Sequence, residues 1–233
     1  MGANFCRSRG SSSAQPSRAA LVDDAFADGD SQNQDLPNNS VRWFNGRGPQ
    51  TLRTDRNGSV SFDVTPVGGS SEAFWGFFTN ANQPVRLGVG DRLSVAATFT
   101  LTGFNATGQD IRWGLLDSQG TRNTANLGGG QNDATFIGDT GYGVQFYTSG
   151  QGNPFVLGRR SLLTGGNPFN NFGDFATING TGAQNRQSLT DGVPYTLTHT
   201  IERLTANTTR LTVSVTGGSL TGLDFTGVET SPD

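Results

Sequence analysis

The chain has 233 residues, with 34 Gly, 28 Thr, 19 Asn, 19 Ser, 16 Arg, three Glu and no Lys. A formal net charge of −3, with no basic run longer than Arg159-Arg160, argues against nucleic acid or an anionic membrane surface as the partner. The near-absence of Lys and Glu removes the usual exposed helix formers, while Thr, Val, Phe and Gly favour strands and turns. One Cys and one His allow neither an internal disulfide nor a zinc site, and no apolar run approaches the roughly 20 residues of a membrane span.

In chain order, residues 1–20 (MGANFCRSRGSSSAQPSRAA) carry three Arg, no acid and a Ser run. They lack the apolar h-region of about 7–15 residues that a signal peptide needs. They read as a disordered leader or processing remnant outside the fold, although an Arg-rich, Ser-rich, acid-poor start also describes an organelle transit peptide. From Leu21 onward short candidate strands fall at 21–26, 41–45, 59–65, 73–79, 111–117, 142–148, 154–159, 174–178 and 219–225. Three further segments alternate with period two. Across Arg92–Thr102, Leu93, Val95, Ala97, Phe99 and Leu101 oppose Arg92, Ser94, Thr98, Thr100 and Thr102, as in a half-buried antiparallel strand. Over Tyr195–Arg203, Tyr195, Leu197 and Ile201 face inward between Thr196, Thr198, Thr200 and Glu202. His199 shares that inward face and is expected to be hydrogen-bonded at the edge of the core. In Thr209–Thr216, Leu211, Val213 and Val215 face inward, and the link Leu204–Thr208, with Asn207, closes a hairpin. Short strands with Gly, Asn and Asp turns and no helical period predict an all-β chain. The expected architecture is an antiparallel two-sheet β-sandwich over residues 21–228 as a single domain, with 229–233 a tail.

Ala73–Thr79, Ile111–Asp117 and Tyr142–Thr148 break the one-sided pattern by placing large groups on both faces. In the second, Ile111, Trp113 and Leu115 oppose Arg112, Gly114 and Leu116; in the third, Tyr142, Val144 and Phe146 oppose Gly143, Gln145 and Tyr147. Two-sided strands are covered on both sides, either by loops of the same chain or by a ligand in a groove. Each of the three also carries an interior Gly (Gly76, Gly114, Gly143), which marks close approach by a ligand or another backbone. Aromatic faces stack on sugar rings, and Arg and Gln hydrogen-bond hydroxyls or carboxylates. Trp75, Arg112, Gln145, Tyr147 and Arg159 are therefore the candidate ligand-binding residues, for a polysaccharide or other glycan.

Asp23, Asp24, Asp28, Asp30 and Asp35 crowd the first strand and its turn. Oxygen-rich clusters suit Ca2+, so Asp28 and Asp30 are candidate ligands of a structural calcium ion. The run D-G-D-S-Q-N lacks the later Gly and Glu of an EF-hand, and turn and capping chemistry accounts for the same residues. No other cofactor is expected.

The segments LVDDAFADGDSQNQDLPNNSVRWF, GGSSEAFWGFFT, VGDRLSVAATFTLTG, DIRWGLLDSQGTR, TGYGVQFY and YTLTHTIERL…TRLTVSVTGGSL together resemble a bacterial module of the concanavalin A-like lectin/glucanase superfamily. Such LamG-like jelly rolls occur in secreted or cell-surface proteins, often with a PEP-CTERM sorting tail. The resemblance covers roughly residues 21–228 and implies two curved sheets with a glycan groove on the concave face. It also implies a secreted or surface location, and a last strand after the GGSL…DFTG segment. In such sandwiches the first and last strands, here Leu21–Phe26 and residues 219–225, lie side by side and cover each other. With a further strand missing they present an open edge, which Asp23, Asp24 and Asp28 would blunt by charge. The chain is then expected to self-associate through the terminal strands or to be less stable than a longer one.

The enzymes that the resemblance brings to mind require patterns this chain lacks. Jelly-roll glucanases carry E-x-D-x-E on one strand, but Glu72, Glu202 and Glu229 stand apart. Jelly-roll alginate lyases carry R-x-E-x-R, Q-[IV]-H and Y-x-K strands; here there is no Lys, and His199 follows Thr198. No catalytic residue is assigned. Three classes stay open: a non-catalytic glycan-binding module, a structural or adhesive surface domain without a small ligand, and a polysaccharide-degrading enzyme with an atypical site.

Overall fold

The structure is a computed structural model that describes residues 3–8, 19–26, 43–46, 53–55, 58–61, 73–79, 83–103, 110–122, 136–148, 154–161, 168, 172–182 and 187–230. It has fifteen strands among the described residues, paired antiparallel throughout. They are β1 (Ala3–Ser8), β2 (Ala19–Asp24), β3 (Trp43–Gly46), β4 (Arg53–Asp55), β5 (Ser59–Ser61), β6 (Ala73–Gly76), β7 (Arg92–Thr100) and β8 (Asp110–Asp117). The rest are β9 (Thr140–Tyr147), β10 (Phe155–Arg160), β11 (Phe175–Ile178), β12 (Gly180–Thr181), β13 (Pro194–Thr205), β14 (Thr208–Thr216) and β15 (Asp224–Glu229). A seven-stranded sheet runs β12-β15-β14-β13-β7-β1-β2, and a four-stranded sheet runs β11-β10-β9-β8. Two ribbons, β3-β6 and β4-β5, complete it. No helix among the described residues is long and apolar enough to cross a membrane.

The period-two pattern sets the inner faces. Leu93, Phe99, Tyr195, Leu197, Ile201, Leu211, Val213 and Val215 of the large sheet join Leu115, Val144, Phe146, Phe155, Leu157 and Ile178 of the small one in a single apolar cluster. Each fully buried aliphatic side chain there contributes about 1.5–3 kcal/mol, so alternation over seven strands fixes which face turns inward. The β13–β14 hairpin closes through Ala206 and Asn207, with an irregular register at Arg203–Thr205. Between β11 and β12 the chain passes from one sheet to the other at Asn179, where a Cβ on Gly227 would lie 2.9 Å from Ile178 and 3.3 Å from the Asn179 carbonyl.

Three sequence expectations need correction. Residues 3–8, set aside with the leader, form β1, which pairs with β2 on one side and with β7 on the other. Leu21–Phe26 does not lie beside the end of the chain: β2 and β15 are separated by β14, β13, β7 and β1, and the last strand is at 224–229 rather than 219–225. β15 is paired on both sides, by β14 and over two residues by β12. Asp24 is also no blunting charge on an edge. It is 2% exposed, and its carboxylate accepts the Phe26 amide at 2.8 Å and the Trp43 indole at 2.6 Å.

His199 lies in the middle of its strand, opposite Val95 and Val213, and is fully buried. Neither ring nitrogen has a hydrogen-bond partner among the described residues, which replaces the expected core-edge hydrogen bond. Burial alone pushes this imidazole down to about 4, so it is neutral in the fold.

Candidate functional site

The small sheet has two worked faces. Register places Ile111, Trp113 and Leu115 opposite Phe146, Val144 and Tyr142 on the core side. On the outer side, rows cross the strands: Asp110 with Tyr147; Arg112 with Gln145 and Val156; Gly114 with Gly143 and Gly158; Leu116 with Gly141. This is the two-sided pattern expected from the sequence.

At one end of this outer face is a compact polar cluster. One oxygen of the Asp110 carboxylate accepts Arg112 Nε at 2.9 Å, Arg112 Nη2 at 2.7 Å and the Gln145 side-chain amide. Residues two apart on a strand share a face, which is why D-x-R folds into this pair. The Asp110 and Arg112 side chains keep 22% and 23% of their surface exposed. Tyr147 stands opposite Asp110 and is half-buried. The cluster thus offers a fixed carboxylate, a guanidinium, an amide and a half-exposed aromatic ring at one place.

The middle of the face is filled by the chain itself. The rings of Phe172 and Phe175 stack with centroids 4.6 Å apart. A Cβ on Gly143 would lie 2.6 Å from the Phe175 ring, and one on Gly158 would lie 2.6 Å from Phe175 Cβ and 3.3 Å from Phe172. The Gly at 143 therefore admits another part of the same chain, the first of the two alternatives. Beyond it lies an ionic cluster. Arg160 is 1% exposed and carries the charges of Asp139 and Asp174 near it, both of which are also buried. Burial pushes the Asp139 carboxyl up to about 7; Arg160 opposes that shift and Asp117 adds to it. The 3-10 turn Phe172–Asp174 is tied to the end of β10 by the Ser161 amide, which donates to the Asp174 carbonyl at 2.9 Å.

The five candidate ligand-binding residues do not form one site. Arg112, Gln145 and Tyr147 come together as expected. Arg159 shares the core side with Phe155 and Leu157, and its Nε lies 3.8 Å from Glu229 of the large sheet. The sheet itself separates it from Gln145. Trp75 belongs to the β3-β6 ribbon, opposite Phe44, and packs edge-on against Phe136 with centroids 5.3 Å apart. Phe136 opens the turn into β9, whose first residue Thr140 pairs with Asp117. That row is five residue steps from Arg112, about 17 Å along the strand. Asp28 and Asp30 lie outside the described residues, and no group of three or more His, Cys, Asp or Glu side chains among the described residues could hold a metal ion.

Sequence reading missed Asp110, Arg122, Asp139, Arg160 and the Phe172–Phe175 stack. Asp110 had a signal, since it stands two residues before Arg112 on an alternating strand. The others depend on which loop returns to which face.

No family model, no curated protein and no solved structure matches the chain.

Proposed function

We propose that the protein is a non-catalytic carbohydrate-binding module of jelly-roll type, secreted or displayed at the cell surface, that binds glycan on the outer face of its four-stranded sheet. The observation that carries this reading is the Asp110–Arg112–Gln145 cluster, in which Asp110 and Arg112 are partly exposed beside the half-buried Tyr147. A carboxylate held by three N–H groups from two side chains presents fixed hydrogen-bonding geometry to sugar hydroxyls, and an adjacent ring supplies stacking area. The resemblance to lectin-like jelly rolls, and two antiparallel sheets around a common core, support the same reading.

A glycan array tests it. With the best-bound glycan in hand, Tyr147→Ala should weaken binding by about 1–3 kcal/mol and leave the melting temperature unchanged. A blank array, with both Tyr147→Ala and Arg112→Ala lowering the melting temperature, would leave these residues as structural groups. That outcome would favour the structural or adhesive reading, which has its own support in the way Phe172 and Phe175 fill the face over Gly143 and Gly158.

A further inference from the structure

The β3-β6 ribbon turns one side to the core, where Trp43 and Phe74 stack at 4.6 Å beside Phe26. Its other side carries a separate aromatic group: Phe44 lies 6.1 Å from Trp75 and 5.9 Å from Phe77, and Trp75 meets Phe136. Trp75 and Phe77 are half-buried and stand outside the apolar core.

A guanidinium sits on this group. Arg122 follows β8 by the turn at Asp117–Gly120, which the Asp117 carboxylate fixes by accepting the Gln119 amide at 2.9 Å. Its Cζ lies 4.9 Å over the Phe77 ring, and its Nη2 donates to Thr79 Oγ1 at 3.3 Å. Nε is buried with no partner, and no carboxylate pairs with the side chain among the described residues. Burial lowers its proton affinity for the same reason. A partly desolvated cation without a counter-charge is costly, and the ring quadrupole and one long hydrogen bond return only part of that cost. The other described arginines with ion pairs show the contrast: Arg92, Arg112, Arg159 and Arg210 each face a carboxylate.

We infer that Arg122, held over Phe77, forms with Trp75 a subsite for an acidic saccharide, one whose ring meets Trp75 while its carboxylate meets the guanidinium. This rests on the glycan-binding reading above and adds the ligand class. A carboxylate matches the planar guanidinium fork and supplies the missing charge. A pyranose ring beside it meets Trp75 as a flat apolar face.

The test uses the full chain and two probes, a pentamer of galacturonic acid and the neutral galactose pentamer, by titration calorimetry. Wild type should bind the acidic probe more tightly, with affinity falling as salt rises. Arg122→Gln should lose at least about tenfold for the acidic probe and nothing for the neutral one, as expected for a charge-assisted hydrogen bond. Arg122→Lys keeps the charge without the fork and should fall between the two, which also guards against a misfolded Gln variant. Equal binding of both probes by wild type, no binding of the acidic probe, or an Arg122→Gln variant that binds it normally would each overturn the inference. Failure of the broader reading looks different: acidic binding lost in Arg122→Gln but untouched by Tyr147→Ala and Arg112→Ala would keep this subsite and remove the one at Asp110.

Discussion

On the outer face of the seven-stranded sheet, Ser94 meets Thr200 at 2.8 Å, Thr98 meets Thr196 at 3.0 Å and Thr212 meets Thr226 at 3.3 Å. Glu202 pairs there with Arg92 and Arg210. On the outer face of the four-stranded sheet the same kind of position holds Asp110, Arg112, Gln145 and a row of glycines under two phenylalanines. The first face satisfies itself by cross-strand hydroxyl pairs and needs nothing from outside. The second combines a partly exposed ion pair with the buried titratable side chains of Arg160, Asp139 and Asp174, whose desolvation costs stability. Two sheets around one core thus show what an ordinary solvent face looks like and what a built face looks like.

A large effect is expected in the core between them. His199 is neutral in the fold at about 4 and titrates near 6.5 when unfolded. A depressed value means that the unfolded chain takes up the proton first, so stability is full above pH 6.5 and is lost as pH falls toward 4. The loss is about 3 kcal/mol at 1.36 kcal/mol per pH unit. Urea titrations at pH 7, 5.5 and 4 should show it, and His199→Leu should flatten that part of the slope. An unchanged slope would mean that the imidazole finds a proton acceptor.

The packed glycine row should respond next. Gly158→Ala places a methyl against Phe175 Cβ, a backbone-proximal atom that cannot swing away, and should cost about 1–3 kcal/mol in thermal melting. A neutral result would show that Phe172 and Phe175 do not lie over the sheet.

Asp139 acts with the opposite sign to His199. Its folded value near 7 is above the ordinary 3.8, so the protonated fold is favoured at low pH and this contribution fades as pH rises from about 4 to 7. The stability of Asp139→Asn relative to wild type should therefore climb over that range. A difference constant with pH would place the carboxylate in water. Smallest of all, Thr198→Ala on the seven-stranded sheet should change stability by less than about 0.5 kcal/mol and leave ligand binding unaltered. A larger loss would mean that this face, too, is built for a partner.

Much of the sheet framework was legible because burial enforces period two. β7, β13 and β14 read directly from Leu93–Phe99, Tyr195–Ile201 and Leu211–Val215. β1 was not, since the Arg and Ser around residues 3–8 resemble a leader and its place is fixed by the pairing partners β7 and β2. The parity of β10 is legible in the sequence: once Phe155 and Leu157 point inward, Arg159 must follow them and Arg160 must not. The two-sided character of Ala73–Thr79 is legible in the sequence, but the distance of Trp75 from Arg112 depends on where a separate ribbon docks, which no local spacing encodes. Arg122 and Asp139 take their character from desolvation, a property of tertiary packing rather than of neighbours in sequence.

Where a glycan touches the protein is the most direct test of binding on the four-stranded sheet. Backbone amide shifts recorded during titration with the best-bound glycan of the array would map it. The predicted result is a contiguous set of shifts at Asp110–Arg112, Gln145–Tyr147 and Val156, with Ser94–Thr98, Thr196–Thr200 and Thr212–Thr216 unmoved. Shifts confined to the hydroxyl-paired face of the seven-stranded sheet, with none at Arg112 or Tyr147, would contradict it.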